Sequence, residues 1–170
     1  MRDQEERMRV LFMFDGHTPI AKFDWLIRTS MQRLALPLMR YSLAVIFIWF
    51  GALKPFGLSP AIDLAASTVP FIPREIFIPV LGWWEVTIGV CFLFRPLIRV
   101  AIPLLILQIP GTFLPLVLLP EYCYTKFPFA LTIEGQYIIK NLLIIGCALA
   151  IGGSLPPIGQ KDAKTSSHHV

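Results

Sequence analysis

Long apolar runs, separated by short polar and proline-containing segments, dominate the pattern of the chain. They lie at about residues 37–56, 76–94, 98–119 and 136–152. A helix rises about 1.5 Å per residue, so about 20 apolar residues cross a hydrocarbon core about 30 Å thick. The pattern predicts an all-α fold, an integral membrane four-helix bundle within residues 36–155.

Ahead of the first run, apolar residues recur at helical spacing among charged ones. The stripe comprises Ile20, Phe23, Ile27, Met31 and Leu34. It predicts an amphipathic interfacial helix within a cytoplasmic N-terminal extension, residues 1–35, or a helix packed on a partner's cytoplasmic face. This extension lacks a small-residue cleavage site, so no removable signal peptide is expected. Residues 156–170 form a predicted polar tail.

Prolines divide the remaining segments. The loop after the first run contains a short apolar stretch, residues 61–69, which predicts a half-buried helix. The third run carries Pro103, Pro110 and Pro115. Prolines within a span are tolerated where neighbouring protein satisfies the freed carbonyls, so we expect a kinked helix beside a cavity or an interface.

Composition and charge agree with a membrane domain. Hydrophobic residues make up 55% of the chain and charged residues 15%, against about 25% in soluble domains. Seven of the 15 basic residues fall in the first 40 positions. Together with Arg95, Arg99 and the basic tail they share one side if the helices alternate, and the positive-inside rule makes that side cytoplasmic. The net charge of +4 therefore indicates topology, and no nucleic-acid partner is expected.

Cysteine and histidine usage narrows the chemistry. The three cysteines include no CxxC pair, which disfavours a dithiol redox centre. The histidines, His17, His168 and His169, all lie in the polar tails, which disfavours ligation of a buried haem. No metal or covalent cofactor is expected.

One carboxylate interrupts the second run. Glu85 lies roughly 15 Å along the helix from both Glu75 and Arg95, which places it near the bilayer midplane. An ionisable group at this depth is costly and is a functional-site candidate by default. Gly82 and Gly89 share its helix face, so we expect Glu85 to lie against a closely packed helix.

Other polar and aromatic residues are expected near this carboxylate. The predicted partner of Glu85 is Lys140 in the fourth span, with Lys54 at the end of the first span as the second choice. Further residues are predicted to orient a ligand or line a pocket or helix interface: Gln108, Asn141, Trp83 and Trp84. Three interpretations stay open, namely a structural ion pair, a proton-accepting carboxylate beside a quinone-sized pocket, and transport of a small solute or proton.

Three segments resemble the DoxX-like family of small four-helix membrane proteins. They are RYSLAVIFIWFGALKPF with Gly51 and Lys54, GWWEVTIG with Glu85, and EGQYIIKNLLIIGCAL with Lys140 and Asn141. The resemblance covers about residues 36–153 and is strongest to the branch of reactive-chlorine-responsive membrane proteins.

The resemblance implies a function. Name-giving members of the family are subunits of a thiosulfate:quinone oxidoreductase or of an associated terminal oxidase complex. We therefore expect an accessory subunit of a quinone-linked electron-transfer complex in the bacterial cytoplasmic membrane. Its expected partners are other membrane subunits of a redox complex and the lipid bilayer, and its expected ligands are quinone or quinol and lipids. A purely structural scaffold and a transporter are the alternatives.

Overall fold

A computed structural model describes residues 19–157 of the chain. The predictions for residues 1–18, including the first part of the N-terminal extension, lie outside the described residues. So do those for residues 158–170, which hold most of the predicted polar tail.

The described chain is mostly helical. Its helices are α1 (Pro19–Leu53), α2 (Ile62–Thr68), α3 (Arg74–Leu93), α4 (Ile98–Phe113), α5 (Pro115–Leu118), α6 (Pro120–Cys123) and α7 (Ile133–Gly153), with a 3-10 turn at Arg95–Leu97 before α4. Two short strands, β1 (Tyr124–Lys126) and β2 (Ala130–Leu131), pair antiparallel before α7. The all-α prediction is confirmed apart from this small addition.

Four helical segments are long and apolar enough to cross a membrane. They are Ile20–Leu53, Arg74–Leu93, Arg95–Leu118 and Ile133–Gly153. Between 17% and 33% of the most apolar window of each is buried within the chain. Most of their apolar surface is therefore available to lipid or to other proteins, and the chain is a membrane protein.

The chain divides into two compact units, Met1–Leu38 and Met39–Val170. In the described part of the first unit, large apolar side chains such as Phe23, Trp25, Met31 and Leu34 are exposed. The charged side chains of this segment are exposed as well, so exposure does not distinguish an apolar packed face from a polar face. The amphipathic surface helix therefore stays a prediction. One helix, α1, connects the predicted extension and the predicted first span and continues through Pro37. A proline removes one backbone hydrogen bond, but its fixed φ still fits a helix.

The second unit has one apolar core to which all four candidate spans contribute. α1 supplies Leu43, Ala44 and Phe47, and α3 supplies Ile88, Cys91 and Phe92. The remaining members come from α4 and α7: Ile98, Ala101, Leu105, Ala148 and Ile151. This core lies toward the C-terminal end of α3, and Glu85 lies about one turn before it, near the middle of the helix.

Glycines bring α1 and α3 into close antiparallel contact. A Cβ added at Gly51 would lie 2.8 Å from both the Glu85 Cβ and the Gly82 carbonyl oxygen. A Cβ added at Gly89 would lie 2.9 Å from the Ala44 carbonyl oxygen. The expected close packing along the stripe of Gly82, Glu85 and Gly89 is confirmed, and the helix that packs there is α1.

The connections follow the proline pattern. The predicted short helix is α2, whose ends Ile62 and Thr68 are buried. The third span is interrupted at Leu114, immediately before Pro115, and the expected kink beside a cavity or an interface stays a prediction. Thr132 caps α7, because its hydroxyl accepts a hydrogen bond from the Gly135 N–H (3.1 Å).

Candidate functional site

Glu85 is held by side chains from two other parts of the chain. One carboxylate oxygen, Oε2, forms an ion pair with the Lys54 ammonium group. The other oxygen, Oε1, accepts a hydrogen bond of 2.9 Å from Gln108 Nε2. The Glu85 side chain is 12% exposed and the Lys54 side chain 8% exposed. The site is thus an enclosed polar centre, here called the Glu85 centre, formed by Lys54, Glu85 and Gln108.

Lys54 is positioned by the way α1 ends. The Leu58 N–H donates to the Leu53 carbonyl (2.9 Å), and the Gly57 N–H donates to the Lys54 carbonyl (3.0 Å). Together with the φ of 72° at Gly57, these two hydrogen bonds form a Schellman motif. This closure keeps Lys54 in the last turn of the helix, on the face that carries Gly51. Because Gly51 packs on α3, the ammonium group reaches Glu85.

Gln108 brings α4 into the centre but leaves one group unsatisfied. Its Nε2 is used by Glu85, whereas its Oε1 is buried and has no hydrogen-bond donor among the described residues. A buried acceptor without a donor costs about 1–3 kcal/mol. The amide is oriented by the carboxylate, because a carboxylate accepts only and must face the Nε2 donor.

The ion pair and the hydrogen bond of the Glu85 centre hold the helices that carry these side chains together. A carboxylate near mid-span with one oxygen on an ammonium group and the other on an amide donor is well compensated. Removing either charge alone would leave the other enclosed without its counter-ion. The arrangement therefore couples the positions of α1, α3 and α4.

Lys140, the predicted partner of Glu85, lies elsewhere, and this prediction was wrong. Its side chain is exposed and its ammonium group stands 5.0 Å from the centroid of the Tyr137 ring. Gly135 and Ile138 are the buried residues in this part of α7. Lys140 is two positions beyond Ile138, or about 200° around the helix, so it points away from the packed face.

Asn141 is also not part of the Glu85 centre. Its amide donates to the carbonyl oxygens of Tyr137 (3.1 Å) and Ile138 (3.0 Å) in its own helix. The two tryptophans differ from each other. Trp84 packs against the apolar core, whereas Trp83 is 59% exposed. Of the predicted site residues, the structure brings together Glu85, Lys54 and Gln108.

Arg40 is a buried charge that the sequence reasoning did not single out as a site residue. It is 9% exposed, its guanidinium carbon stands 4.6 Å from the Tyr41 ring centroid, and its Nε has no hydrogen-bond partner among the described residues. The sequence signal for its burial was its position three residues before the apolar core residue Leu43. A residue at i, i+3 from a core position shares the core face.

Cys123 is the other buried reactive group, in the connection before α7. It is fully buried, and burial raises the pKa of its thiol, with the negative charges of Glu134 and Glu121 adding to the effect. A raised thiol pKa disfavours the thiolate, which is the reactive form. Cys123 therefore behaves as a small apolar residue. Within residues 19–157, no cluster of His, Cys, Asp and Glu side chains could hold a metal ion.

Two open clefts lie away from the Glu85 centre. One, of about 370 Å³, is lined by Tyr41, Ser42, Val45 and Ile46 on α1. The other, of about 450 Å³, lies where the start of α4 meets the end of α7 and includes Arg99, Ile102 and Pro156 in its lining. Neither lining includes a residue of the Glu85 centre.

No protein-family model matches the chain, and neither a curated protein nor a solved structure matches it. The resemblance to the DoxX-like family consequently stays a prediction from the three sequence segments.

Proposed function

We propose that this chain is an accessory membrane subunit of a quinone-linked electron-transfer complex. In this proposal the four spans form a bundle in the bacterial cytoplasmic membrane, with both termini cytoplasmic and an amphipathic segment at the N-terminal side. The resemblance of the segments around Lys54, Glu85 and Asn141 to DoxX-like proteins supports the quinone link. The large share of apolar span surface left uncovered supports association with other membrane subunits.

The observation that carries the accessory role is the closed state of the Glu85 centre. Both carboxylate oxygens are occupied, one by Lys54 and one by Gln108. A general acid or base must instead be free to exchange a proton with a bound substrate. The centre is therefore suited to fixing the helices that partner subunits contact, and the redox chemistry belongs to those partners.

A second candidate role, bordering a quinone site, is favoured by one atom. Gln108 Oε1 is an enclosed acceptor that has no donor among the described residues. A quinol hydroxyl is a donor of the required kind, and Glu85 next to it would accept the proton. Because Oε1 is enclosed, a quinol reaches it only after a local separation of α3 and α4.

The test is native mass spectrometry with lipid and quinone extraction, on an assembly purified gently through this subunit. The accessory role predicts co-purified redox subunits, and loss of these subunits in Glu85→Gln. Lys140→Gln is the matched control, since this exposed lysine lies outside the Glu85 centre and should leave the assembly intact.

The outcomes separate the candidate roles. Stoichiometric quinone that disappears in Glu85→Gln while the assembly persists would favour the quinone-site role. Redox subunits without bound quinone, in an assembly that falls apart in Glu85→Gln, would support the accessory role with a structural ion pair at Glu85. An assembly that contains no redox subunits would favour a purely structural scaffold. A protein that purifies alone, without redox subunits, would refute the accessory role.

A further inference from the structure

Arg40 is a buried cation that has no counter-charge among residues 19–157. The residue is 9% exposed, and the ion pairs among the described residues are Lys54–Glu85 and Arg74–Asp63. Its guanidinium stacks on the Tyr41 ring at 4.6 Å, which compensates part of the charge. Burial of a charge remains costly unless an ion or strong hydrogen bonds complete its environment.

The end of the guanidinium can still be reached from outside. Within the part of the chain that the structure describes, Nε is enclosed and has no hydrogen-bond partner, whereas the two terminal nitrogens are not both enclosed and unpaired. They therefore keep some accessible surface. An anion at the protein surface can accept hydrogen bonds from these nitrogens in the forked geometry that phosphate favours.

The groups along this part of α1 complement those of a phospholipid in the same order. Tyr41, whose ring the Arg40 guanidinium contacts, lines a cleft of about 370 Å³ together with Ser42, Val45 and Ile46. Tyr41 and Ser42 carry hydroxyls, and Val45 and Ile46, one turn further along the helix, are aliphatic. Tyr41 and Val45, like Ser42 and Ile46, are four residues apart and share a helix face. A cation, then hydroxyls, then an apolar groove matches a phosphate, a glycerol ester region and an acyl chain.

We propose that Arg40 and this cleft bind an anionic phospholipid, with the phosphate on the guanidinium and one acyl chain along Val45 and Ile46. Arg40 lies about 21 Å along α1 from Lys54, so a lipid headgroup at Arg40 and the Glu85 centre occupy different depths. The proposal rests on the chain lying in a membrane and is independent of an electron-transfer role. Basic residues beside apolar grooves at membrane boundaries are known headgroup sites.

The test compares lipid binding to the full chain in detergent micelles by native mass spectrometry. The probes are phosphatidylglycerol, which is anionic, and phosphatidylcholine, which has no net charge. We expect about tenfold tighter binding of phosphatidylglycerol, in line with a charge-assisted hydrogen bond. Arg40→Gln should abolish this preference and Arg40→Lys should retain part of it. Arg95→Gln, which removes an exposed arginine, is the matched control and should retain it fully.

A second measurement needs no variant at Arg40. Phosphatidylglycerol with a photoreactive acyl chain, incorporated with the wild-type protein into bilayers, should label residues 41–46. Labelling spread evenly over the spans would overturn the proposal, as would equal lipid preference in Arg40→Gln and the wild type. Displacement of the lipid by equimolar glycerol phosphate would assign the site to a free anion instead. A co-purified protein lost in Arg40→Gln, with no lipid preference, would assign it to a partner carboxylate.

Discussion

Removing one member of the Lys54–Glu85 pair should destabilise the fold more than removing both. The side chains are 8% and 12% exposed, so each charge depends on the other for compensation. Breaking a buried pair from one side costs about 3–5 kcal/mol, and replacing both partners is often close to neutral. The perturbations are Lys54→Met, Glu85→Gln and the double variant.

The structure refines these magnitudes. In Lys54→Met the carboxylate keeps its hydrogen bond from Gln108, which is worth about 1.5–3 kcal/mol, so we expect a loss of about 2–4 kcal/mol. In Glu85→Gln the ammonium group stays without a counter-ion, but Lys54 follows the last residue of α1 and can extend toward the interface, so we also expect about 2–4 kcal/mol. In the double variant the amide introduced at position 85 can hydrogen-bond the Gln108 amide, so the free energy of unfolding should fall by about 1–2 kcal/mol.

The assay is reversible unfolding in mixed micelles with an increasing fraction of dodecyl sulfate, followed by circular dichroism. Lys140→Met is the control and should cost less than about 1 kcal/mol, because its contact with Tyr137 is exposed. A double variant whose loss equals the sum of the single losses within about 0.5 kcal/mol would refute the coupling.

Two further predictions concern packing and thiol chemistry. Gly82→Ala should destabilise the fold, because a Cβ at Gly82 would lie 2.7 Å from a carbonyl oxygen of α1. Gly146→Ala should not, because a Cβ there meets nothing within 4 Å among the described residues. Thermal unfolding of both variants checks this, and equal melting temperatures would contradict it. Cys123 should react slowly with maleimide in the native protein and gain reactivity above the pH range in which ordinary thiols react, because burial and then Glu134 and Glu121 raise its pKa. Mass-spectrometric measurement of labelling against pH tests this. Native reactivity equal to that of the unfolded chain would contradict it. The raised pKa also means that Cys123 contributes stability at lower pH and that this contribution is lost as the pH rises through its folded-state pKa.

The spans could be predicted because their signal is local. A run of about 20 apolar residues is sufficient evidence for a spanning helix, whatever it packs against. The second run was expected at residues 76–94, and α3 is Arg74–Leu93. The continuity of α1 through Pro37 was not predictable in this way, because a proline is compatible with both a helix start and a helix interior. The strands β1 and β2 are too short to leave a periodic pattern.

The partner of Glu85 could not be chosen from depth alone. Lys140 and Lys54 both fell in the same half of the predicted membrane, but which faces Glu85 depends on the angle around each helix. A usable signal was present in the spacing of glycine and charge. Gly51 precedes Lys54 by three residues and Gly82 precedes Glu85 by three, so close packing of these glycines places the two charges together.

Cross-linking in intact membranes tests the central claim, that Lys54 of the first span faces Glu85 of the second. In a background with Cys91, Cys123 and Cys147 replaced by serine, the pairs Lys54→Cys/Glu85→Cys and Lys140→Cys/Glu85→Cys are oxidised or treated with a short bifunctional thiol reagent. The account predicts an intramolecular cross-link for the first pair and little for the second, measured by mass spectrometry of the linked peptides. A cross-link that forms efficiently between positions 140 and 85, and not between 54 and 85, would contradict it.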